Sequence, residues 1–421
     1  MRKTVLFVAA LLLITGLFAF RGIKIVEKTA KKHAAFLIVS DVHVDTREKS
    51  SKYSGDTGMD LWHAFLQKMD EILSGPDAPS FIVYTGDLPA HYKCNGPCYL
   101  APADRTEHNA DIYAALTGLD SIANKHHKPL FYAPGNNDAL AGNYYSFADE
   151  ARQTPLSLIH ASPYFYPKKD IDGAVPGMIA NPEPTMGYYA ACPEKNLRLI
   201  VLNTVIFNKA FTAADHTDPK TDGEKEMKWL AQQLEEAAAG HQQVYLAMHI
   251  PPGMDIVHSR PMWTAGAKDG SDNWQNDFLN LVSRYRSSIA AILYGHTHMD
   301  EVRRLYDSTG RTVTAVAICC PGVTPQHYNN PGFKVVEYDE DSKQPIDFTT
   351  YYTTPDAVTW GNNSYTFDNA FGNTAGATIY DCLSTMPIDS LERRMNSVFT
   401  VKHLMPMPFS TKSGIEVKMG Q

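Results

Sequence analysis

Hydrophobic positions fall along this chain in two rhythms. Five short apolar runs, at 36–39, 81–84, 130–133, 244–248 and 289–293, have the length and continuity of strands buried on both faces. Between them, apolar residues recur at helical spacing over 61–73, 110–123 and 224–239. Asp60 stands where the first of these helices would need a cap, and Gly240 where the third would stop, with Trp229 and Leu230 on its apolar side. Strands alternating with helices predict an α/β fold, a sandwich of sheets with helices outside. Residues 139–190, rich in Pro, Gly and aromatics, follow neither rhythm and predict long loops walling a site. Asn143, Tyr144, Tyr145, Tyr188 and Tyr189 are the substrate contacts it offers, against the plainer alternative of loop packing. From about residue 341 the composition shifts to Tyr, Thr, Asn and Gly, and one last amphipathic helix is predicted over 387–398.

The first residues add a location. Arg2 and Lys3 precede a largely apolar run over 4–20, so residues 1–30 read as a secretory signal or a signal anchor. The run is longer than a usual signal core and slightly short for a comfortable span, and 17–19 offers no clean small-x-small cleavage site. The protein is therefore expected outside the cytosol: secreted, periplasmic or extracellular, or membrane-anchored facing outwards. Six cysteines fit disulfides in an exported chain, although six allow fifteen connectivities. Cys94 and Cys98, around Asn95-Gly96-Pro97, are the first pair to expect. A net charge of −8 argues against a nucleic-acid surface, which needs a basic face. It leaves room for a small anionic substrate, because bound cations supply positive charge locally.

The chemistry lies at the ends of the apolar runs. They lead into Ser40-Asp41-Val42-His43, Thr85-Gly86-Asp87, Pro134-Gly135-Asn136-Asn137-Asp138, His249, and Gly295-His296-Thr297-His298. Sites in layered α/β folds sit at strand ends. Five strands ending in metal-ligating residue types point to a metal site rather than to scattered core histidines and turn aspartates. Histidines two apart after a strand can face one point, and Gly295 is expected to let the backbone turn tightly between strand and ligands.

In order, Asp41-x-His43, Gly86-Asp87, Gly135-Asn136, His249 and Gly295-His296-x-His298 resemble the motif series of the calcineurin-like metallophosphoesterases. Within that superfamily the chain is similar to acid sphingomyelinase and the acid-sphingomyelinase-like phosphodiesterases. The likeness rests on Tyr84-Thr85-Gly86-Asp87-Leu88-Pro89-Ala90-His91, Met248-His249-Ile250-Pro251-Pro252-Gly253, and Val323-Thr324-Pro325 followed by Asn330-Pro331-Gly332-Phe333. The resemblance implies an α/β/β/α sandwich over 34–340 with a small C-terminal subdomain over 341–421. It also implies a two-metal centre: Asp41, His43, Asp87 and His298 on one ion, and Asp87, Asn136, His249 and His296 on the other, with Asp87 bridging. These ligand types suit zinc. Iron-using purple acid phosphatases place a tyrosine three residues after the bridging aspartate, where this chain has Ala90, so two zinc ions are expected. Such a pair, roughly 3.5–4 Å apart, shares a hydroxide and clamps phosphoryl oxygens for in-line attack.

One departure bears on catalysis. The family usually reads Gly-Asn-His after the third strand, and that histidine is credited with protonating the leaving group; here the position is Asn137. An amide donates a hydrogen bond but is no general acid near neutral pH. His91, which matches a histidine of the sphingomyelinase-like enzymes, is the expected proton donor, with Asp138 a weaker one. The expected activity is hydrolysis of nucleotide-like or phosphocholine-type phosphoesters. Sphingomyelin is the alternative substrate, set second because Asp41 follows too early for the lipid-extracting saposin module of acid sphingomyelinase. A metal-containing binding protein weakened at Asn137 is the alternative outside enzymology.

Overall fold

The computed structural model describes residues 32–92, 100–213, 218–263, 273–374, 376–404 and 410–420. His33–Gln421 form one compact unit. The N-terminal export segment expected over 1–30 and the Cys94–Cys98 pair lie outside the described residues. The first half of the unit runs β1 (His33–Val39), β2 (Val44–Asp45), β3 (Thr57–Gly58), α1 (Met59–Leu73), β4 (Ile82–Tyr84), α2 (Pro102–His126), β5 (Leu130–Tyr132), β6 (Phe165–Tyr166), β7 (Gly177–Ala180), β8 (Tyr189–Glu194) and β9 (Leu197–Val201). It continues with α3 (Pro219–Ala239), β10 (Gln243–Ala247), β11 (Met254–Asp255), β12 (Arg260–Pro261), α4 (Trp274–Arg284), β13 (Ile289–Tyr294), β14 (Val302–Tyr306) and β15 (Val313–Cys319). The last stretch holds β16 (Gly332–Asp339), β17 (Pro345–Tyr352), β18 (Ser364–Thr366), α5 (Ile379–Thr385), α6 (Ile388–Asn396), α7 (Lys412–Ile415) and β19 (Glu416–Val417).

Two mixed sheets form, ordered β18-β17-β16-β1-β4-β5-β6 and β19-β14-β15-β13-β10-β9-β8-β7. The five apolar runs are β1, β4, β5, β10 and β13. All five lie inside the sheets and are paired in parallel, which is why they carry apolar residues on both faces. Period two divides their side chains between two cores. On β10, Tyr245 and Ala247 face the space between the sheets, while Val244 and Leu246 face the helix layer of α3 and α4. Tyr245 stands 5.4 Å from Phe36 of β1 and 6.3 Å from Tyr338 of β16, ring to ring, so the sheets pack face to face. Phe333, an odd number of positions from Tyr338 on β16, turns the other way and meets Phe65 of α1 edge-on at 5.3 Å. The order is helix, sheet, sheet, helix, the predicted α/β/β/α sandwich.

Helices depart from the sequence reading mainly at their ends. α2 begins at Pro102 rather than 110 because its first turns, with Asp104, Arg105, Glu107 and Asn109, are too polar to show a period. Gly58, not Asp60, caps α1; Asp60 sits in the first turn, where a carboxylate still complements the helix dipole. α4 lies outside the three stretches of helical spacing, although Asn273 caps it and Trp274, Phe278 and Val282 line one buried face. Residues beyond 340 add β17 and β18 to one sheet edge and β19 to the other.

Cys192, Cys319, Cys320 and Cys382 are free thiols, which corrects the expectation of disulfides for these four. Cys319 and Cys320 are chain neighbours at a strand end, where successive side chains point to opposite faces. Among the described residues no helix is long and apolar enough to cross a membrane.

Candidate metal centre

Asp41 and His43 follow β1, Asp87 follows β4, Asn136 and Asn137 follow β5, His249 follows β10, and His296 and His298 follow β13. The strands are neighbours within each sheet and the sheets face each other, so loops far apart in sequence meet at one end of the sandwich. The backbone there is unusual. Asp41, His43, Asp87, His296 and His298 all have φ between 38° and 73°, a left-handed conformation that costs a non-glycine residue about 1 kcal/mol or more. Inter-loop bonds hold it, such as Asp41 N to Gly86 O (2.9 Å) and His43 N to Asp87 O (3.2 Å). Gly295 is needed for room rather than for a turn: a Cβ there would come within 1.9 Å of Ser40 Oγ and 2.7 Å of Asp41 Oδ2. Gly135 is likewise obligatory, since its Cβ would stand 2.2 Å from Asp87 Oδ1.

All seven residues expected as metal ligands converge. His43 Nε2 lies 3.2 Å from His298 Nε2, 3.4 Å from Asp87 Oδ2 and 3.8 Å from Asp41 Oδ1. On the other side, His249 Nε2 lies 3.0 Å from Asn136 Oδ1, 3.2 Å from His296 Nδ1 and 3.3 Å from Asp87 Oδ2. Asp87 is common to the group with Asp41 and His43 and to the group with His249 and His296. A third group joins His43, His298 and His91.

The hydrogen bonds behind these atoms show that the residues fit a metal. His43 donates Nδ1–H to Pro89 O (2.8 Å) and His249 donates Nδ1–H to Thr85 O (2.7 Å). A carbonyl only accepts, so in the neutral ring Nε2 is left with its lone pair turned inward. Carboxylate, amide and imidazole lone pairs then face one another within hydrogen-bonding distance, an arrangement that asks for positive charge at its centre. The titration of the groups agrees. Burial would push the Asp87 carboxyl up, but His249 and His43 hold it well below the usual carboxylate range. Burial would likewise lower His249, yet the Asp87 carboxylate pushes it up to about 9. His296, by burial and by His249 beside it, falls to about 3 and stays a neutral donor of electron pairs.

A surrounding layer fixes the loops. Asp138, weighed as a proton donor, is fully buried and accepts from Gly135 N (2.6 Å), Leu88 N (2.6 Å), Asp87 N (3.2 Å) and Tyr132 OH (2.8 Å), tying the Asp87 loop to the Asn136 loop. Asn137 donates both its backbone N–H and its Nδ2 to Asp87, at 2.8 Å each. Beneath this loop, His108 of α2 donates Nε2–H to Asn137 O at 3.0 Å.

A cavity of about 260 Å³ opens over these groups. His91 lies in its wall, stacked on His43 with centroids 4.0 Å apart, and donates Nδ1–H to Asp56 Oδ1 at 2.7 Å. Of the aromatic loop residues singled out by sequence, Asn143 and Tyr144 line the cavity, whereas Tyr145, Tyr188 and Tyr189 do not. Tyr189 is wholly buried and Tyr188 packs on Trp229 with centroids 4.9 Å apart. Sequence reasoning missed four residues. Asp56 positions His91; His327 touches His298 edge-on (4.4 Å); Asp255 and His258 form a paired wall (2.7 Å) on the β11–β12 hairpin. Only His327 left a trace, two residues beyond the quoted Val323-Thr324-Pro325.

Burial of His108 carries a stability prediction. Burial lowers its pKa to about 4, so below 6.5 the unfolded chain binds a proton that the folded chain refuses. Its contribution is present above pH 6.5 and is lost as pH falls towards 4, about 2 kcal/mol of it between 6.5 and 5. Asp138, pushed up to about 6 by burial and by the Asp87 charge, works in the opposite direction. The difference between the protein and His108→Gln, from denaturant unfolding at pH 7 and pH 5, should therefore shrink on acidification; an unchanged difference would refute the assignment.

A calcineurin-like phosphoesterase family model matches residues 34–300. The chain is similar to sphingomyelinase phosphodiesterase D of Dictyostelium discoideum, 26% identical over 315 residues, covering 74% of this chain and 64% of that protein. It is 28% identical over 303 residues to sphingomyelin phosphodiesterase of Homo sapiens, covering 68% of this chain and 42% of that one. Acid sphingomyelinase-like phosphodiesterase 3b of Mus musculus is 26% identical over 323 residues, 71% of this chain and 61% of its own length. The chain thus spans less than two thirds of each of these relatives.

Proposed function

Because this chain belongs to the calcineurin-like phosphoesterase family, we propose that it is a metal-dependent phosphodiesterase acting outside the cytosol on nucleotide-like or phosphocholine-type phosphoesters. The observation that carries this reading is Asp87, shared by two clusters of electron-pair donors at one cavity. The printed names of the relatives, sphingomyelin phosphodiesterases among them, support diester chemistry and keep sphingomyelin as the alternative substrate.

In this reading Asp41, His43, Asp87 and His298 hold one zinc ion, and Asp87, Asn136, His249 and His296 hold the other. When bound, the pair supplies a hydroxide nucleophile near neutral pH and offsets charge on the phosphoryl oxygens. The protein does the rest. Pro89 O and Thr85 O fix the rings of His43 and His249, so the centre needs little rearrangement to act. Asn137, which donates its backbone N–H and one Nδ2 hydrogen to Asp87, orients that carboxylate from the cavity wall. His91, aimed by Asp56 and in the cavity wall, delivers the proton to the leaving oxygen.

The test is hydrolysis by the purified protein, with zinc added or chelated. The panel is bis-p-nitrophenyl phosphate, p-nitrophenyl phosphate, ATP, a dinucleotide and sphingomyelin micelles. Zinc-dependent cleavage of the diester or the nucleotides is expected, and turnover of sphingomyelin alone would move the assignment to lipid. Silence on every substrate from protein holding two metal ions would overturn the enzyme reading in favour of a binding protein.

A further inference from the structure

Among the expected ligands Asn136 is the one whose donor end must be chosen. A carboxylate presents an oxygen whichever way it turns, but an amide turned by 180° presents an NH2 group, which repels a cation. The chosen end is held from behind. Asn136 directs Oδ1 towards His249 Nε2 (3.0 Å) and donates Nδ2 to Asn143 Oδ1 at 2.8 Å. Turning the amide over would set its oxygen against the Asn143 oxygen and its NH2 group among the neighbouring ligands.

The backbone next to Asn143 is placed firmly. The backbone N–H of its neighbour Tyr144 donates to Asn136 O at 2.6 Å, and Tyr144 O accepts from Thr212 N at 2.7 Å. Tyr144 adopts φ 56°, and its ring stands edge-on to His296 with centroids 6.5 Å apart. The 139–145 loop therefore meets the centre at both Asn136 and His296. Asn136 is only 4% exposed, so no solvent competes strongly for its Nδ2.

We propose that Asn143 is the positioning residue that selects the oxygen end of Asn136, and that it thereby sets the occupancy of one of the two metal positions. The proposal rests on the two-metal reading above and deepens it. Loss of a hydrogen-bonding partner behind a ligand typically weakens metal binding by roughly 10–100-fold.

The experiment measures zinc per chain by elemental analysis after dialysis against graded zinc buffers, together with zinc affinity by calorimetry. The proteins are the unaltered chain, Asn143→Ala, Asn143→Asp and Asn136→Asp, and the double variant Asn136→Asp/Asn143→Ala. The unaltered chain is expected to hold two ions. Asn143→Ala should lose one of them at about 10-fold higher free zinc or more. Asn143→Asp, which keeps an acceptor, should behave like the unaltered chain. In the Asn136→Asp background, where either oxygen can bind, adding Asn143→Ala should change nothing. A merely structural role for Asn143 would not be rescued in that way.

Equal zinc affinity of Asn143→Ala and the unaltered chain would overturn the proposal and leave the two-metal reading standing. An unaltered chain that binds fewer than two ions would overturn both. Should Asn143→Ala fail to fold, the Asn143→Asp and Asn136→Asp proteins still decide. An Asn143→Asp protein that loses one ion sinks the proposal.

Discussion

Asp87→Asn is expected to lower kcat/KM on bis-p-nitrophenyl phosphate by at least about 10²–10³, the loss that follows removal of one preorganised electrostatic partner of transition-state charge. The expectation rests on the sharing of this carboxylate. Asp87 Oδ2 lies 3.4 Å from His43 Nε2 and 3.3 Å from His249 Nε2, so one oxygen serves both clusters. An amide of the same shape keeps an acceptor for the Asn137 backbone N–H, but an NH2 group at the shared Oδ2 position cannot hold a cation and meets the Asn137 Nδ2 donor head-on. The variant should therefore bind less than two zinc ions per chain while its far-ultraviolet spectrum stays that of the unaltered protein. Full zinc content with unimpaired turnover would show that Asp87 is not shared between two ions, and the proposed centre would have to be redrawn.

His91→Ala carries the second large effect, and here the leaving group is the diagnostic. General acid catalysis is worth roughly 10²–10⁴ where the departing oxygen needs a proton, and little where it leaves as a stable anion. The Asp56 carboxylate accepts from both the backbone N–H (2.8 Å) and Nδ1–H (2.7 Å) of His91, which fixes the ring beside His43 and His298. Turnover of a diester with an alcohol leaving group should thus fall by about 10² or more in His91→Ala, while the p-nitrophenyl ester loses far less. Asn137→Ala should show no such split, because its N–H groups serve Asp87 irrespective of what leaves. Equal losses in the two variants, or a loss in His91→Ala blind to the leaving group, would remove His91 from the proton-transfer role.

What could be read from the chain beforehand was whatever is local. A buried parallel strand is a short apolar run, and a ligand placed just after it announces itself within a few residues; Asp41, His43, Asp87, His249, His296 and His298 all have that form. The partners behind them do not. Asp56 sits in an irregular loop between β2 and β3 and reaches His91 only because the two loops meet in space. Asp255 and His258 lie on a hairpin of two-residue strands, too short to leave a period. The bond from Asn136 to Asn143 is equally invisible in the sequence, although Asn143 and the aromatics beside it stand out there. Helix α4 is a different failure: its Asn273 cap and its Trp274, Phe278, Val282 face were in plain view, at ordinary helical spacing. Gly295 reads from sequence as a turn glycine, but packing against Ser40 and Asp41 shows that space, not backbone freedom, demands it.

The four side chains Asp41, His43, Asp87 and Asn136 hang from one sheet, and His249, His296 and His298 hang from the other. Ions held among them would act as rivets through the sandwich, resisting any sliding of one sheet over its partner. With ions bound there, metal would hold the fold together as well as serve the reaction, because whatever binds the assembled state withdraws chains from the unfolded pool. In that reading, the chain stripped of its ions should unfold at a lower denaturant concentration than the metal-loaded chain.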